Sequence, residues 1–221
     1  MRFSLSSRRF SVAFFLSTKC GFRSLSSSSS SGRKAFTRSS SGETASSSSV
    51  MEVGETFRKE NIRVILGSKS ATRKHILEEM KIESTTISAD IDENAIRFED
   101  PSRLVEALAR AKAEAILERI RKAEEEEGAK EKRRTLLITC DQVVVFDGKI
   151  REKPETEEEA RMFMRSYKEN NPCSTVGSIR VTDVATGASA SSVDVCTIHF
   201  KEISEEAMDF FINEGEVMWC A

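Results

Sequence analysis

The sequence reads as one domain of interspersed strands and helices behind a distinct N-terminal segment, on three observations. Short β-rich runs near 63–67, 136–146, 175–182 and 193–200 are interspersed with helical stretches near 76–80, 101–121, 157–167 and 204–212. The chain has 221 residues, 38% hydrophobic and 32% charged, enough for one medium soluble domain with a sizeable core. The first fifty residues differ sharply in composition from the rest, so the expected organisation is a Ser-rich segment over 1–55 and one domain over 60–221.

Residues 1–50 carry eight basic groups against the single acid Glu43 and end in the serine run Ser46–Ser49. That is the composition of a mitochondrial or chloroplast transit peptide; the alternative is a disordered tail that targets nothing. Val12 to Leu16 is too short to span a bilayer, so no membrane partner is expected. With a net charge of -2 overall and a surplus of seven positive charges in this segment, the remainder carries about nine net negative charges. An acidic body argues against a nucleic-acid polymer as partner but leaves room for a basic pocket that takes one nucleotide. The five cysteines (Cys20, Cys140, Cys173, Cys196, Cys220) are odd in number and contain no CxxC pair, and with only His75 and His199 there is no HExxH. Neither a disulfide framework nor a zinc site is signalled.

The domain opens near Asn61. Arg63–Gly67 reads as a strand, and Ser68-Lys69-Ser70-Ala71-Thr72-Arg73-Lys74 leads straight into a helix through Ile76, Leu77 and Met80. A strand ending in Gly and small hydroxyl residues before a basic helix start makes an anion cradle, with Ser68 and Ser70 as donors and Arg73 as bidentate charge. The bland alternative is Ser70 as a plain N-cap with Arg73 solvated. The GxxxxGK[ST] spacing of a P-loop is absent. Ser84–Ser88 is a weak strand, followed by the acidic loop Ala89-Asp90-Ile91-Asp92-Glu93. Such a cluster is either solvated surface or, if it faces other oxygen ligands such as Asp141 and a phosphate, a hard-cation site.

Pro101 opens a long helix to about Arg121, with Leu104, Leu108, Ala111 and Ala115 along one stripe. Lys112 falls inside the apolar sector between Val105, Leu108 and Ile116, where a lysine needs a counter-charge. Arg119 falls in the same sector and can instead snorkel to solvent. Residues 124–134 read as a solvated, charged helix end and loop. Leu136 to Phe146 follows as two apolar β runs interrupted by Asp141, a carboxylate that needs a cation, a metal or a buried salt bridge. Asp147-Gly148 signals a type I′ hairpin that turns the chain back, so that Lys153, before Pro154, returns toward Asp141. A further amphipathic helix (157–167), two β runs joined by a turn at Thr186-Gly187, and a helix capped by Ser204 complete the chain.

Taken together and in order, SKSATRK, ADIDE, LARAKAEA, TCDQVVVFDGKIREKP and ISEEAMDFFINEGE resemble the Maf-like proteins, nucleoside triphosphate pyrophosphatases, from roughly Arg63 onward. The resemblance implies an α/β fold with a mixed, elongated sheet flanked by helices, two lobes and a central cleft. It implies hydrolysis of a nucleoside triphosphate to the monophosphate and pyrophosphate, with a divalent metal cation (Mg²⁺ or Mn²⁺) as cofactor, and a homodimer. Position by position, Ser68, Ser70 and Arg73 match the SxSxxR phosphate grip, Lys112 the AKA helix lysine and Lys153 the lysine of the KP element. Glu93 matches the acid after the second strand, a metal ligand, and Asp141 the catalytic proton acceptor that also holds metal.

Thr72 and Gln142 occupy the positions that follow substrate choice in the family. Gln142, with the terminal Trp219-Cys220-Ala221, is similar to the 7-methyl-GTP branch, whereas Thr72 matches neither that branch nor the dTTP/UTP one. The family also continues several dozen residues past the position of Ala221, with a strand, a base-recognition loop and a helix. This chain is therefore expected to be incomplete at its C-terminus, and a nucleotide-binding or interaction protein without turnover is the competing expectation.

Overall fold

The computed structural model describes residues 47–127 and 133–219. The transit-peptide reading of residues 1–46, Cys20, the centre of the charged 124–134 stretch, and Cys220-Ala221 lie outside the described residues.

The described chain runs α1 (Ser47–Lys59), β1 (Arg63–Gly67), α2 (Ala71–Glu79), β2 (Ser84–Thr86), a 3-10 turn (Glu93–Ala95), α3 (Pro101–Glu127), β3 (Thr135–Phe146), β4 (Lys149–Arg151), α4 (Glu157–Ser166), β5 (Cys173–Asp183), β6 (Ser189–Ile198), α5 (Glu205–Asn213) and a last 3-10 turn (Glu216–Trp219). The α/β class is as expected: five helices and a six-stranded mixed sheet. Sheet order is β2-β1-β3-β5-β6, with β4 beside β3. β1 is parallel to β2 and β3, whereas β3, β5 and β6 form an antiparallel meander.

β3 is the spine. Its first five residues pair with β1 (Arg63↔Thr135 to Gly67↔Thr139), its last three with β4 (Val144↔Arg151 to Phe146↔Lys149), and its other edge pairs with β5 throughout. Between the end of β1 and the start of β4, residues 140–143 have no ladder partner on that edge among the described residues. Asp141 does not break the strand as the sequence alone implied, because ten consecutive pairs with β5 carry β3 through it. The hairpin is the type expected: Asp147 and Gly148 both have positive φ, 50° and 71°.

Period-two alternation splits β3 between two cores. Ile138 and Cys140 face a cluster with Val64, Leu66, Ile76 and Leu77, and Leu137 faces another with Ile65, Ala113, Ile116 and Leu117. Each large aliphatic side chain fully buried in this way stabilises the fold by about 1.5–3 kcal/mol. α1 was not legible in the sequence and carries regular structure upstream of Asn61. It packs Val53 and Phe57 on the first cluster, and a Cβ on Gly54 would lie 2.3 Å from the Met80 carbonyl oxygen. Only glycine permits that approach.

Candidate active site

The segment expected to cradle an anion, Ser68 to Arg73, follows directly on the end of β1. Gly67 has no room for a side chain, since a Cβ there would meet Thr139 Cγ2 at 2.6 Å and Ile116 Cδ1 at 2.7 Å. The chain therefore leaves the strand pressed against β3 and α3. Ser70 then caps α2 by accepting from Arg73 N–H (3.4 Å), and Ser68 Oγ accepts from Ser70 N–H (3.2 Å). Arg73 is not solvated. Its Nη1 donates to Ser68 Oγ (3.2 Å) and to the carbonyl of Cys140 (3.1 Å), the residue before Asp141. Ser70 is an N-cap, and the capped turn aims the Arg73 guanidinium at the unpaired edge of β3.

Two buried hydroxyls fix α3 over the same stretch. Thr139 Oγ1 donates to the Ala109 carbonyl (2.8 Å) and Ser178 Oγ, opposite Asp141 on β5, donates to the Val105 carbonyl (2.6 Å). With the helix held at Val105 and Ala109, Lys112 projects at Asp141, and its Nζ donates to Asp141 Oδ1 at 2.7 Å. The same ammonium lies 3.0 Å from Glu93 Oε1. The Lys112 and Asp141 side chains are 11% and 9% exposed and that of Glu93 56%, so the trio runs from the core to the surface. Asp92 orients Glu93 by capping the 3-10 turn through the Asn94 N–H (3.0 Å).

Burial dominates the electrostatics. It pushes the Asp141 carboxyl above its ordinary value of 3.8, against the pull of Lys112 and Arg73, with Glu93 adding to the rise. The Cys140 thiol is likewise pushed up by burial, which leaves it an inert core residue.

The remaining expected site residues are less closely gathered. Lys153 is exposed and lies two residues past the last ladder pair, Val144↔Arg151, where the antiparallel chain leads back toward Gln142 and Asp141. Gln142 is half-buried on the Cys140 side of β3, the side of α2, and Thr72 is half-buried in the first turn of α2. The two positions thus share one side of the sheet, opposite to Lys112.

The sequence profile of the Maf-like protein family matches residues 63–221. The chain belongs to the Maf-like family. A 7-methyl-GTP pyrophosphatase of Dictyostelium discoideum is 44% identical over 158 residues, which cover 72% of this chain and 78% of the relative. A nucleoside triphosphate pyrophosphatase of Salinispora tropica is 32% identical over 161 residues, covering 70% of this chain and 65% of the relative.

The Maf-like site fits a divalent cation by its donors. Glu93 and Asp141 both contact the Lys112 ammonium, so two carboxylates face one positive charge. Hard carboxylate oxygens suit Mg²⁺ or Mn²⁺. Among the described residues no group of three or more His, Cys, Asp or Glu gathers as a self-sufficient metal cage, so water and phosphate oxygens would complete the coordination. Sequence reasoning missed Thr139 and Ser178. The available signal for Thr139 was its place two residues before Asp141 on the same strand face; Ser178 gave none, because its partner lies 73 residues away.

Proposed function

We propose that this Maf-like chain is a nucleoside triphosphate pyrophosphatase, with 7-methyl-GTP as its substrate. The observation that carries the reading is the buried Lys112–Asp141 pair, joined by Glu93, beside the Arg73 cradle. The 44% identity to a 7-methyl-GTP pyrophosphatase and the glutamine at position 142 support the choice of nucleotide. The triphosphate lies in a cleft between two lobes, at the carboxyl end of β1, as ligands do in α/β sheets.

Each residue has a role that its surroundings permit. Arg73 grips phosphate through Nη2 and Nε, which have no partner among the described residues. Ser68 and Ser70 add hydroxyl donors, and Lys112 and Lys153 neutralise charge on the departing pyrophosphate. Asp141 orients the attacking water and takes its proton as the water oxygen bonds to the α-phosphorus and the bond to the pyrophosphate oxygen breaks. A divalent cation held by Glu93 and Asp141 would supply Lewis-acid charge on the phosphate oxygens. Two carboxylates around one ammonium leave the trio net negative, which favours that cation.

The test is pyrophosphate release from a panel of canonical and 7-methylated nucleotides with Mg²⁺ or Mn²⁺. A preference for 7-methyl-GTP is expected. Nucleotide binding without pyrophosphate release would replace this reading by that of a nucleotide-binding protein. We propose also that residues 1–50 direct import into chloroplasts or mitochondria and that the protein is a homodimer. Organelle fluorescence of a 1–50 fusion and sedimentation of the full chain check these two points; a diffuse signal or a monomer would end them.

A further inference from the structure

Glu93 and Lys153 lie on two separate surface segments, and an ion pair joins those segments. Arg97 Nη2 donates to Asn94 Oδ1 at 2.6 Å and lies 3.4 Å from Glu152 Oε1. On its own side the turn is pinned: Asp92 accepts from Asn94 N–H, and Ala95 and Ile96 N–H donate to the carbonyls of Asp92 and Glu93 (both 3.3 Å). Arg97 and Glu93 are thus parts of one short hydrogen-bonded unit. On the other side Arg151, next to Glu152, is caged. Its guanidinium lies over Phe146, Phe163 and Tyr167, at 3.8, 4.5 and 5.0 Å from the ring centroids, and donates to Ser166 Oγ at 2.8 Å. Lys153 follows directly.

Among the described residues no strand ladder joins the two segments. The Arg97 and Glu152 side chains are 53% and 69% exposed, so the pair adds little to the stability of the fold. It does link two loops. We propose that Arg97 is a positioning residue. Through Glu152 it holds the turn carrying Glu93 in register with the segment carrying Lys153, so that a metal-side carboxylate and a phosphate-side ammonium meet the same triphosphate. The substrate in this inference rests on the pyrophosphatase reading; the restraint between the loops does not.

A charge swap decides it, with Arg97→Glu, Glu152→Arg and the double variant compared with wild type. Expected for each single variant are an unchanged melting temperature, faster amide hydrogen exchange over residues 94–97, and a KM for 7-methyl-GTP raised about tenfold in Mn²⁺. The double variant restores both exchange and KM toward wild type. Exchange that moves while KM does not would make the pair merely structural and overturn the proposal, as would wild-type values in the single variants or no recovery in the double. If wild type releases no pyrophosphate from any nucleotide, the pyrophosphatase reading fails by itself. Exchange measured without nucleotide then decides the restraint: recovery in the double variant upholds it and uniform exchange removes it.

Discussion

Lys112 and Arg119 lie two turns apart on one stripe of α3, and their surroundings are opposite. Lys112 projects over the centre of the sheet, where Ala109 and Ala113 are 1% exposed and the Thr139 and Ser178 hydroxyls hold the helix down. It ends in a buried pair with Asp141. Arg119 projects past β2, an edge strand of three residues, and reaches the Ser88 carbonyl (2.6 Å) and Asp90 Oδ2 (3.1 Å) with its side chain 54% exposed. Position around a helix gives the sector a side chain occupies. Depth comes from which strand lies beneath.

The comparison breaks most directly at the two aspartates. Asp141→Asn keeps volume and removes the charge, so turnover should fall at least ~100-fold. Asp90→Asn, at the Arg119 end, should leave turnover near wild type. Equal losses in steady-state assays would erase the distinction between the two regions.

The second contrast is in stability. Lys112→Met leaves a buried carboxylate without its cation and should cost about 3–5 kcal/mol at neutral pH. Arg119→Met should not move the denaturation midpoint measurably, as for most exposed pairs. Urea titrations of both variants check this.

The third is the sign of the pH dependence in metal-free buffer. Asp141 has a folded value raised by burial, so its contribution to stability is complete below 3.8 and is lost as pH rises through the raised value. Asp90 has a folded value lowered by the Ser88 hydroxyl and Lys69, so its contribution is present above 3.8 and is lost as pH falls through the lowered value. Relative to wild type, Asp141→Asn should therefore gain as pH rises, while the deficit of Asp90→Asn should vanish in acid. Differences that stay flat with pH would contradict both assignments.

The smallest effect is expected at Thr139→Val. Losing the bond to the Ala109 carbonyl should cost about 1 kcal/mol and, by loosening α3 beneath Lys112, lower turnover modestly. An unchanged turnover would mean that the helix is aimed by apolar packing alone.

Local signals made much of this molecule legible. The Asp147-Gly148 turn, the Ser70 and Ser204 caps and the stripe of α3 all act within a few residues of where they are read. Ser68, Ser70, Arg73, Glu93, Lys112 and Asp141 converge because the topology puts the end of β1, the stripe of α3 and the middle of β3 at one place. What failed was non-local. α1 begins in serines and contains Gly54, so propensity opposed it, and the Met80 carbonyl that needs the glycine lies at the C-terminal cap of α2. The Ser178–Val105 and Arg97–Glu152 contacts join residues 73 and 55 positions apart, and no periodicity announces them.

α1 also sets how far a peptidase could trim this chain from its N-terminal side without opening the core. Val53, Gly54 and Phe57 belong to the core around Met80 and Ile82. A cut just before Ser47 would leave a protein that folds with its first helix in place. A cut after residue 55 would strip Val53 and Gly54 and uncover an oily face for chaperones and proteases to find. The packing of this single helix thus bounds any cut from the N-terminal side that leaves the core covered.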